Sequence, residues 1–157
     1  MKDKRAQYDE VLKQFAALAE GEHDATALMA NAAALLHEAM GERFFWTGFY
    51  IVKNNELLLG PFQGTVACMH IARGRGVCGT AWERATTLVV PDVEQFPGHI
   101  ACSALSRSEI VVPVIDDRGT VRAVLDIDSR ETDAFDDIDA DALQQLTDIL
   151  ALHIAWQ

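Results

Sequence analysis

The chain has 157 residues and a mass of 17.3 kDa, and its 13 basic against 24 acidic residues give a formal charge of −11. That length suits one domain over 1–157, with a radius of gyration of about 15 Å and a core that needs no staples. The charge argues against nucleic acid or an anionic membrane as a partner. No apolar run approaches the ~20 residues of a membrane span, and the start of the chain reads as an amphipathic segment rather than a secretory core, so a cytosolic location is expected.

Tyr8, Val11, Leu12, Phe15 and Leu18 recur at helical spacing and predict a first helix ending near Gly21. A second helix is expected from Asp24 as N-cap through Leu28, Leu35, Leu36 and Met40, stopping at Gly41. Residues 44–52 are aromatic and β-branched, Asn54 and Asn55 mark a turn, and Glu56 to Leu59 resumes a strand. The stretch from Gly60 to Ser108 is rich in Gly, Pro and polar residues. Within it Ala67 to Ala72 predicts a short strand, Val77 to Ala85 a helix, and Thr87 to Val90 another strand. Glu109 to Ile115 and Thr120 to Ile127 predict a hairpin turning at Asp117-Arg118-Gly119. A terminal helix is expected from about Asp136 to Trp156, with Ile138, Leu143, Leu146, Ile149, Leu150 and His153 on its apolar side. The whole predicts an α+β fold, a central antiparallel sheet with N- and C-terminal helices on one face and pocket-forming loops on the other. A loop region of that length points to binding on the loop side.

The three cysteines, Cys68, Cys78 and Cys102, are an odd number and contain no Cys-x-x-Cys pair. Neither a disulfide framework nor a structural zinc site is expected from them, leaving buried inert thiols or reactive ones. Gly74-Arg75-Gly76-Val77-Cys78-Gly79 matches the dinucleotide-binding pattern formally, but its neighbouring strands read as hairpins rather than a parallel unit. A tight turn feeding a helix fits better, and it places Cys78 in the first turn, where the helix dipole is expected to lower its pKa.

Asp126 and Asp128 stand two apart on a strand and so share a face, opposite Leu125 and Ile127. A solvated sheet face is the plain reading. Asp is depleted in strands, however, and two like charges side by side call for a compensating cation. Glu109, at the mouth of the neighbouring strand, offers a third acid. The run Glu131, Asp133, Asp136, Asp137, Asp139 and Asp141 reads instead as helix capping. His99, three residues before Cys102, and His70, beside Cys68, are candidate bases. Trp46 and Tyr50 share a strand face with Gly48 between them, a core pair or the floor of a small-ligand site.

Taken together, Leu59-Gly60-Pro61-Phe62-Gln63-Gly64, Ala67-Cys68, Gly74 to Ala81, Phe96-Pro97-Gly98-His99-Ile100-Ala101-Cys102, Ser108 to Pro113 and Leu125 to Ser129 resemble the free methionine-(R)-sulfoxide reductases, small enzymes built on a GAF domain. The match runs in order from about Trp46 to Ser129. The resemblance implies a GAF-like fold and reduction of the R epimer of free methionine sulfoxide, with no cofactor or metal. Cys102 matches the nucleophile, Cys68 the cysteine that forms a disulfide with it, and Cys78 an auxiliary cysteine. Glu109, Asp126 and Asp128 match the substrate-pocket carboxylates, and Trp46 and Tyr50 the aromatic wall. Thioredoxin as reductant and a homodimer are implied in the same way. Ser103 departs from the pattern, since many relatives have Asp after the nucleophile.

The chemistry suits these residues. A thiolate attacks the sulfoxide, an acid protonates the departing oxygen, and a sulfenic acid then condenses with a second thiol. Three acids suit a free amino acid, whose ammonium must be paired once desolvated, and disfavour a peptide-bound sulfoxide. The same acids oppose formation of a thiolate. The alternative from another class is a non-catalytic GAF module that binds a small molecule or senses redox state. Three cysteines, three acids and a chain with no output segment after its last helix favour turnover.

Overall fold

The computed structural model describes residues 3–100 and 102–156. Helix α1, Lys4–Ala19, buries Tyr8, Val11, Phe15 and Ala19 along one stripe. Leu18, expected on that stripe, falls at its edge and is 48% exposed. Helix α2, Ala25–Met40, starts where the Asp24 carboxylate accepts from the Ala27 amide at 2.9 Å, and stops at Gly41, whose φ of +56° favours a residue without Cβ.

Strand β1, Trp46–Lys53, turns through Asn54 and Asn55 into β2, Glu56–Gln63. Both asparagines hold positive φ, as a two-residue hairpin turn requires. The predicted strand at 67–72 contracts to β3, His70–Ile71. Helix α3, Gly76–Arg84, leads into β4, Leu88–Val90. Strands β5, Ser108–Ile115, and β6, Val121–Ser129, form the expected hairpin, and α4, Asp137–His153, closes the fold. Several boundaries move: β2, expected to end at Leu59, continues through Gly60 and Pro61 to Gln63, and β6, expected to end at Ile127, continues to Ser129. Phe44 was expected in the first strand, but it is buried in the core under the helices and β1 begins at Trp46. Trp156 lies beyond α4, its ring facing the Arg122 guanidinium at 5.3 Å.

The six strands form one antiparallel sheet in the order β3-β2-β1-β6-β5-β4. Alternation along the strands divides the interior in two. Phe49, Ile110, Val112, Val114, Ala123, Leu125 and Ile127 meet the three long helices on one face. Tyr50, Leu57, Val111 and Val124 meet α3 and the long connections on the other. The layers are those read from the sequence, with α3 as a small helix on the loop side. Among the described residues no helix is long and apolar enough to cross a membrane.

One buried charge ties the helical layer together. Asp139 in the first turn of α4 is fully buried, takes a 2.7 Å contact from Lys4 Nζ and a hydrogen bond from the Tyr8 hydroxyl, and lies 3.8 Å from Arg43. Its carboxylate also accepts from the Asp136 amide, while Asp136 caps the helix in return. The acidic run is thus structural, although Asp139 belongs to the interior and not to a solvated face.

Removing one partner from a buried, satisfied ion group leaves the others desolvated. Asp139→Ala is expected to lower the unfolding free energy by about 3 kcal/mol. Asp137→Ala, at an exposed position in the same turn, is expected to change it by less than about 0.5 kcal/mol, both measured by urea denaturation.

Candidate functional site

Asp126 and Asp128 project from β6 onto the loop face, because Leu125 and Ile127 are drawn into the core beneath the helices. In the β5–β6 register Glu109 lies opposite Asp128, and Val111 opposite Asp126. The hairpin therefore sets three carboxylates side by side. Glu109 and Asp126 are each only 6% exposed, while Asp128 is partly open. The solvated-face reading fails: α3 and the loops cover these acids.

The expected compensating cation is not a lysine or arginine. Among the described residues the ion-pair partner facing the trio is His99, whose Nε2 lies 3.7 Å from Glu109 Oε1. Ser106 donates to Asp128 Oδ1 at 3.0 Å. Asp126 Oδ1 is buried and meets no donor. Burial, and then repulsion from Asp128, pushes Glu109 up to about 8. Burial raises Asp126 and Asp128 well above the ordinary carboxylate range too, reinforced by Glu109 and by Asp126 respectively. Desolvation also lowers His99, which favours its neutral form.

Cys78 reaches the same cluster from α3, with Sγ 3.9 Å from Glu109 Oε2. Here the sequence expectation is reversed. Burial first, and then the three carboxylates, hold the Cys78 thiol well above its usual pKa. The dipole of a nine-residue helix does not offset complete desolvation beside three acids. The glycine pattern around it closes a turn, as expected. The Gly74 amide donates to the Gly79 carbonyl at 3.0 Å, and a Cβ on Gly79 would lie 2.5 Å from the Ala72 carbonyl oxygen.

Cys68 and Cys102 are joined by a disulfide, with Cα atoms 5.5 Å apart. Both are partly accessible, and Cys78 is the remaining, buried thiol. Two aromatic residues hold the loop that carries Cys68. Tyr50 donates its hydroxyl hydrogen bond to the Cys68 carbonyl and Trp46 its indole N–H to the Thr65 carbonyl, each at 2.9 Å.

Trp46, Tyr50, Cys78, His99, Cys102, Glu109, Asp126 and Asp128 thus line one cavity, roofed by Ile100 and Val66. Its free space is about 50 Å³ counted over positions a water centre can take, several times what one water needs. Gly48 does not open a ligand floor. A Cβ there would lie 2.3 Å from the Phe62 Cβ and 2.8 Å from the Trp46 ring, so the glycine lets Trp46 stack between Phe62 and Tyr50, at 5.1 and 6.0 Å. His70 is not in the cavity; its Nδ1 pairs with Glu56 at 2.6 Å on the exposed sheet edge. Ser103 is in the cavity wall, and its hydroxyl accepts from the Leu105 amide at 3.2 Å. Ser106 escaped the sequence reading, because a serine in a polar loop carries no spacing signal. The roles of Trp46 and Tyr50 in holding the Cys68 loop depend on contacts 18 and 19 residues distant in sequence.

A twisted antiparallel sheet with helices on one face and a roofed pocket on the other defines the class. The GAF domain family matches residues 22–155. The chain is 45% identical to the free methionine-R-sulfoxide reductase of Escherichia coli, covering 88% of this chain and 83% of that protein. It is 38% identical to the Saccharomyces cerevisiae protein of the same name, over 90% and 82% of the two chains. The crystal structure of free methionine-R-sulfoxide reductase from Neisseria meningitidis, in complex with its substrate, superposes with a TM-score of 0.93 at 50% identity, over 98% and 91%. The chain belongs to the free methionine-R-sulfoxide reductase family of GAF domains.

The raised Glu109 gives a pH signature of definite sign. Its folded pKa of about 8 exceeds the ordinary 4.5, so its contribution to stability is complete below about 4.5 and is lost as pH rises toward 8. His99 acts in the opposite sense below its ordinary value of 6.5, which leaves the interval from 6.5 to 8 cleanest. The unfolding free energy of the ligand-free disulfide form is expected to fall there with rising pH, Glu109 contributing about 1 kcal/mol per pH unit and the raised Asp126 and Asp128 adding slope of the same sign. Glu109→Gln is expected to reduce the slope by about 1 kcal/mol per pH unit and to leave the part due to Asp126 and Asp128, as followed by denaturant titration at several pH values.

Proposed function

We propose that the chain reduces free L-methionine-(R)-sulfoxide to L-methionine by a thiol-dependent cycle. The observation that carries this reading is the convergence of three buried or half-buried carboxylates with Cys102 in one cavity. An amino acid bound there supplies the missing cation: its ammonium takes the place of part of the protons that Glu109, Asp126 and Asp128 hold when the cavity is empty, and one carboxyl keeps its proton. Trp46 and Tyr50 wall the cavity beside the methyl thioether end, where sulfur against aromatic rings is favourable.

In the reduced enzyme the Cys102 thiolate takes the sulfoxide oxygen, and a carboxyl of the trio that remains protonated supplies the proton. Methionine leaves, and Cys102 becomes a sulfenic acid. The Cys68 thiol then attacks that sulfur, expels water and forms the disulfide. A dithiol partner, thioredoxin, returns two electrons and two protons to restore both thiols. Cys78 stays a thiol in reserve, since its surroundings oppose ionisation. Residues 1–157 form one domain in this reading, because α1 packs on α2 and α4 and shares the buried Asp139. A cytoplasmic homodimer completes it, carried from the family resemblance.

A binding or redox-sensing GAF module is the second reading, favoured by the same disulfide placed at a pocket rim. Thioredoxin-coupled oxidation of NADPH separates the two when run with free R-sulfoxide, free S-sulfoxide and N-acetyl R-sulfoxide. Turnover is expected only with the free R epimer. Absence of turnover with all three favours the sensor, and equal turnover of the acetylated compound removes the ammonium argument.

Two residue tests accompany it. Cys102→Ser is expected to abolish reduction, whereas Cys78→Ser is expected to keep most single-turnover activity. Asp126→Asn is expected to raise KM for the free sulfoxide about tenfold or more, corresponding to loss of a charge-assisted contact of about 1.5 kcal/mol or more, by steady-state kinetics.

A further inference from the structure

Cys78, Glu109 and Asp126 arrive from α3, β5 and β6, and one ligating atom of each lies within 4.8 Å of the others. All three side chains are buried, and Asp126 Oδ1, in a residue only 6% exposed, meets no donor. From the geometry we infer a second occupant for this cavity: a thiophilic divalent cation of the zinc class, held by Cys78 Sγ and the Glu109 and Asp126 carboxylates in the place where the substrate ammonium belongs.

The donor set selects the ion. One thiolate with two carboxylates suits zinc or cadmium rather than magnesium or calcium, which take oxygen alone. His99 lies outside this set, its Nε2 3.7 Å from Glu109 Oε1, so a water completes the four-coordinate shell of the ion. The ligand atoms need only close by about 1 Å to reach tetrahedral spacing around a bond length of about 2.0–2.3 Å. Coordination also removes the defect that the cavity carries when empty. The cation displaces the Cys78 proton and the protons on the carboxylates, so uptake releases protons and strengthens with pH. Nothing is oxidised or reduced. Such an ion blocks the cavity, and this chain is thereby open to inhibition by zinc through a thiol that its redox cycle does not use. The sharing of one place with the ammonium rests on the function proposed above; binding of the ion does not.

The disulfide form makes a clean test, because Cys78 is then the remaining thiol. Oxidised, chelator-treated full-length protein is titrated with Co²⁺ and then with Zn²⁺. A thiolate-to-cobalt charge-transfer band is expected in the near ultraviolet and is expected to vanish as zinc displaces cobalt. Cys78→Ser is expected to lose the band, and Cys78→Ser and Asp126→Asn each to weaken zinc binding about tenfold or more by calorimetry. Absence of the band in the parent protein overturns the site, as does unchanged zinc affinity in both variants. L-Methionine is expected to displace cobalt more effectively than L-alanine, which chelates the metal similarly in solution but lacks the thioether arm. Equal displacement overturns the shared place. If the band forms while no sulfoxide is turned over, the cation site stands and the reductase reading falls.

Discussion

Three carboxylates on one face of a two-stranded ribbon, covered by protein and ion-paired to no lysine or arginine among the described residues, set the terms for everything around them. In water their repulsion would be slight; beneath α3 and the loops each acid is desolvated and faces the others. The fold must therefore leave them protonated or supply a cation from outside. A cavity of this kind has a built-in appetite for positive charge, and in the proposed function selectivity for a free amino acid follows from it. A peptide-bound residue offers an amide where the free amino acid offers an ammonium, and an amide cannot replace the missing charge. The binding group is thus made by withholding a countercharge, rather than by placing a complementary one.

The rest of the molecule can be read as the support that this arrangement needs. Glu109, Asp126 and Asp128 are held in register by a hairpin whose other face is the apolar floor beneath α2 and α4. A one-residue slip would exchange Asp126 and Asp128 for Leu125 and Ile127, placing charges in the main core. The helical layer in turn is fastened by Asp139, which is an instructive contrast. That carboxylate is as deeply buried as the site acids, but Lys4, Tyr8, the Asp136 amide and, more distantly, Arg43 surround it. One buried acid is satisfied and serves stability, whereas the cavity acids are left without countercharge, as the proposed binding of an ammonium requires.

Much of this was legible in the sequence, and the reasons for success differ from element to element. Asp24 and Gly41 announce α2 because capping is a local hydrogen-bonding problem, and Asn54-Asn55 announce their hairpin because few residues accept left-handed backbone. The shared face of Asp126 and Asp128 follows from the period of a strand alone. What sequence spacing could not carry was depth. Period two says that the acids point away from Leu125 and Ile127 but not that α3 covers them, and that covering turns a solvated face into a pocket. The error at Cys78 has the same origin. The residue's place in the first turn of α3 is a local matter, but a helix dipole lowers a thiol's pKa only at a solvated terminus, and desolvation here raises it instead. Gly48 misled for a related reason: the gap it leaves is filled by Trp46 and Phe62, partners that only the β1–β2 pairing reveals.

The disulfide and the acid trio then stand in a functional opposition that geometry makes plain. Acids that favour an ammonium also disfavour a thiolate, and both conditions hold most severely at Cys78, which is fully buried against them. Cys102 reaches the cavity from a loop and remains partly accessible, so it is not held by the same degree of desolvation. The division of labour among chemically identical side chains therefore follows from the elements that carry them. A thiol on a helix packed into the acids is kept protonated and apart from the disulfide. Two thiols on opposing loops at the rim can approach, bond and be released without disturbing the sheet. Loops that are free to exchange partners and a ribbon that cannot slip are complementary requirements of the proposed cycle. The aromatic pair reconciles them, for Tyr50 and Trp46 belong to the rigid strand yet grip the Cys68 loop through its carbonyls. The grip falls on backbone and leaves the sulfur itself free to change its bond.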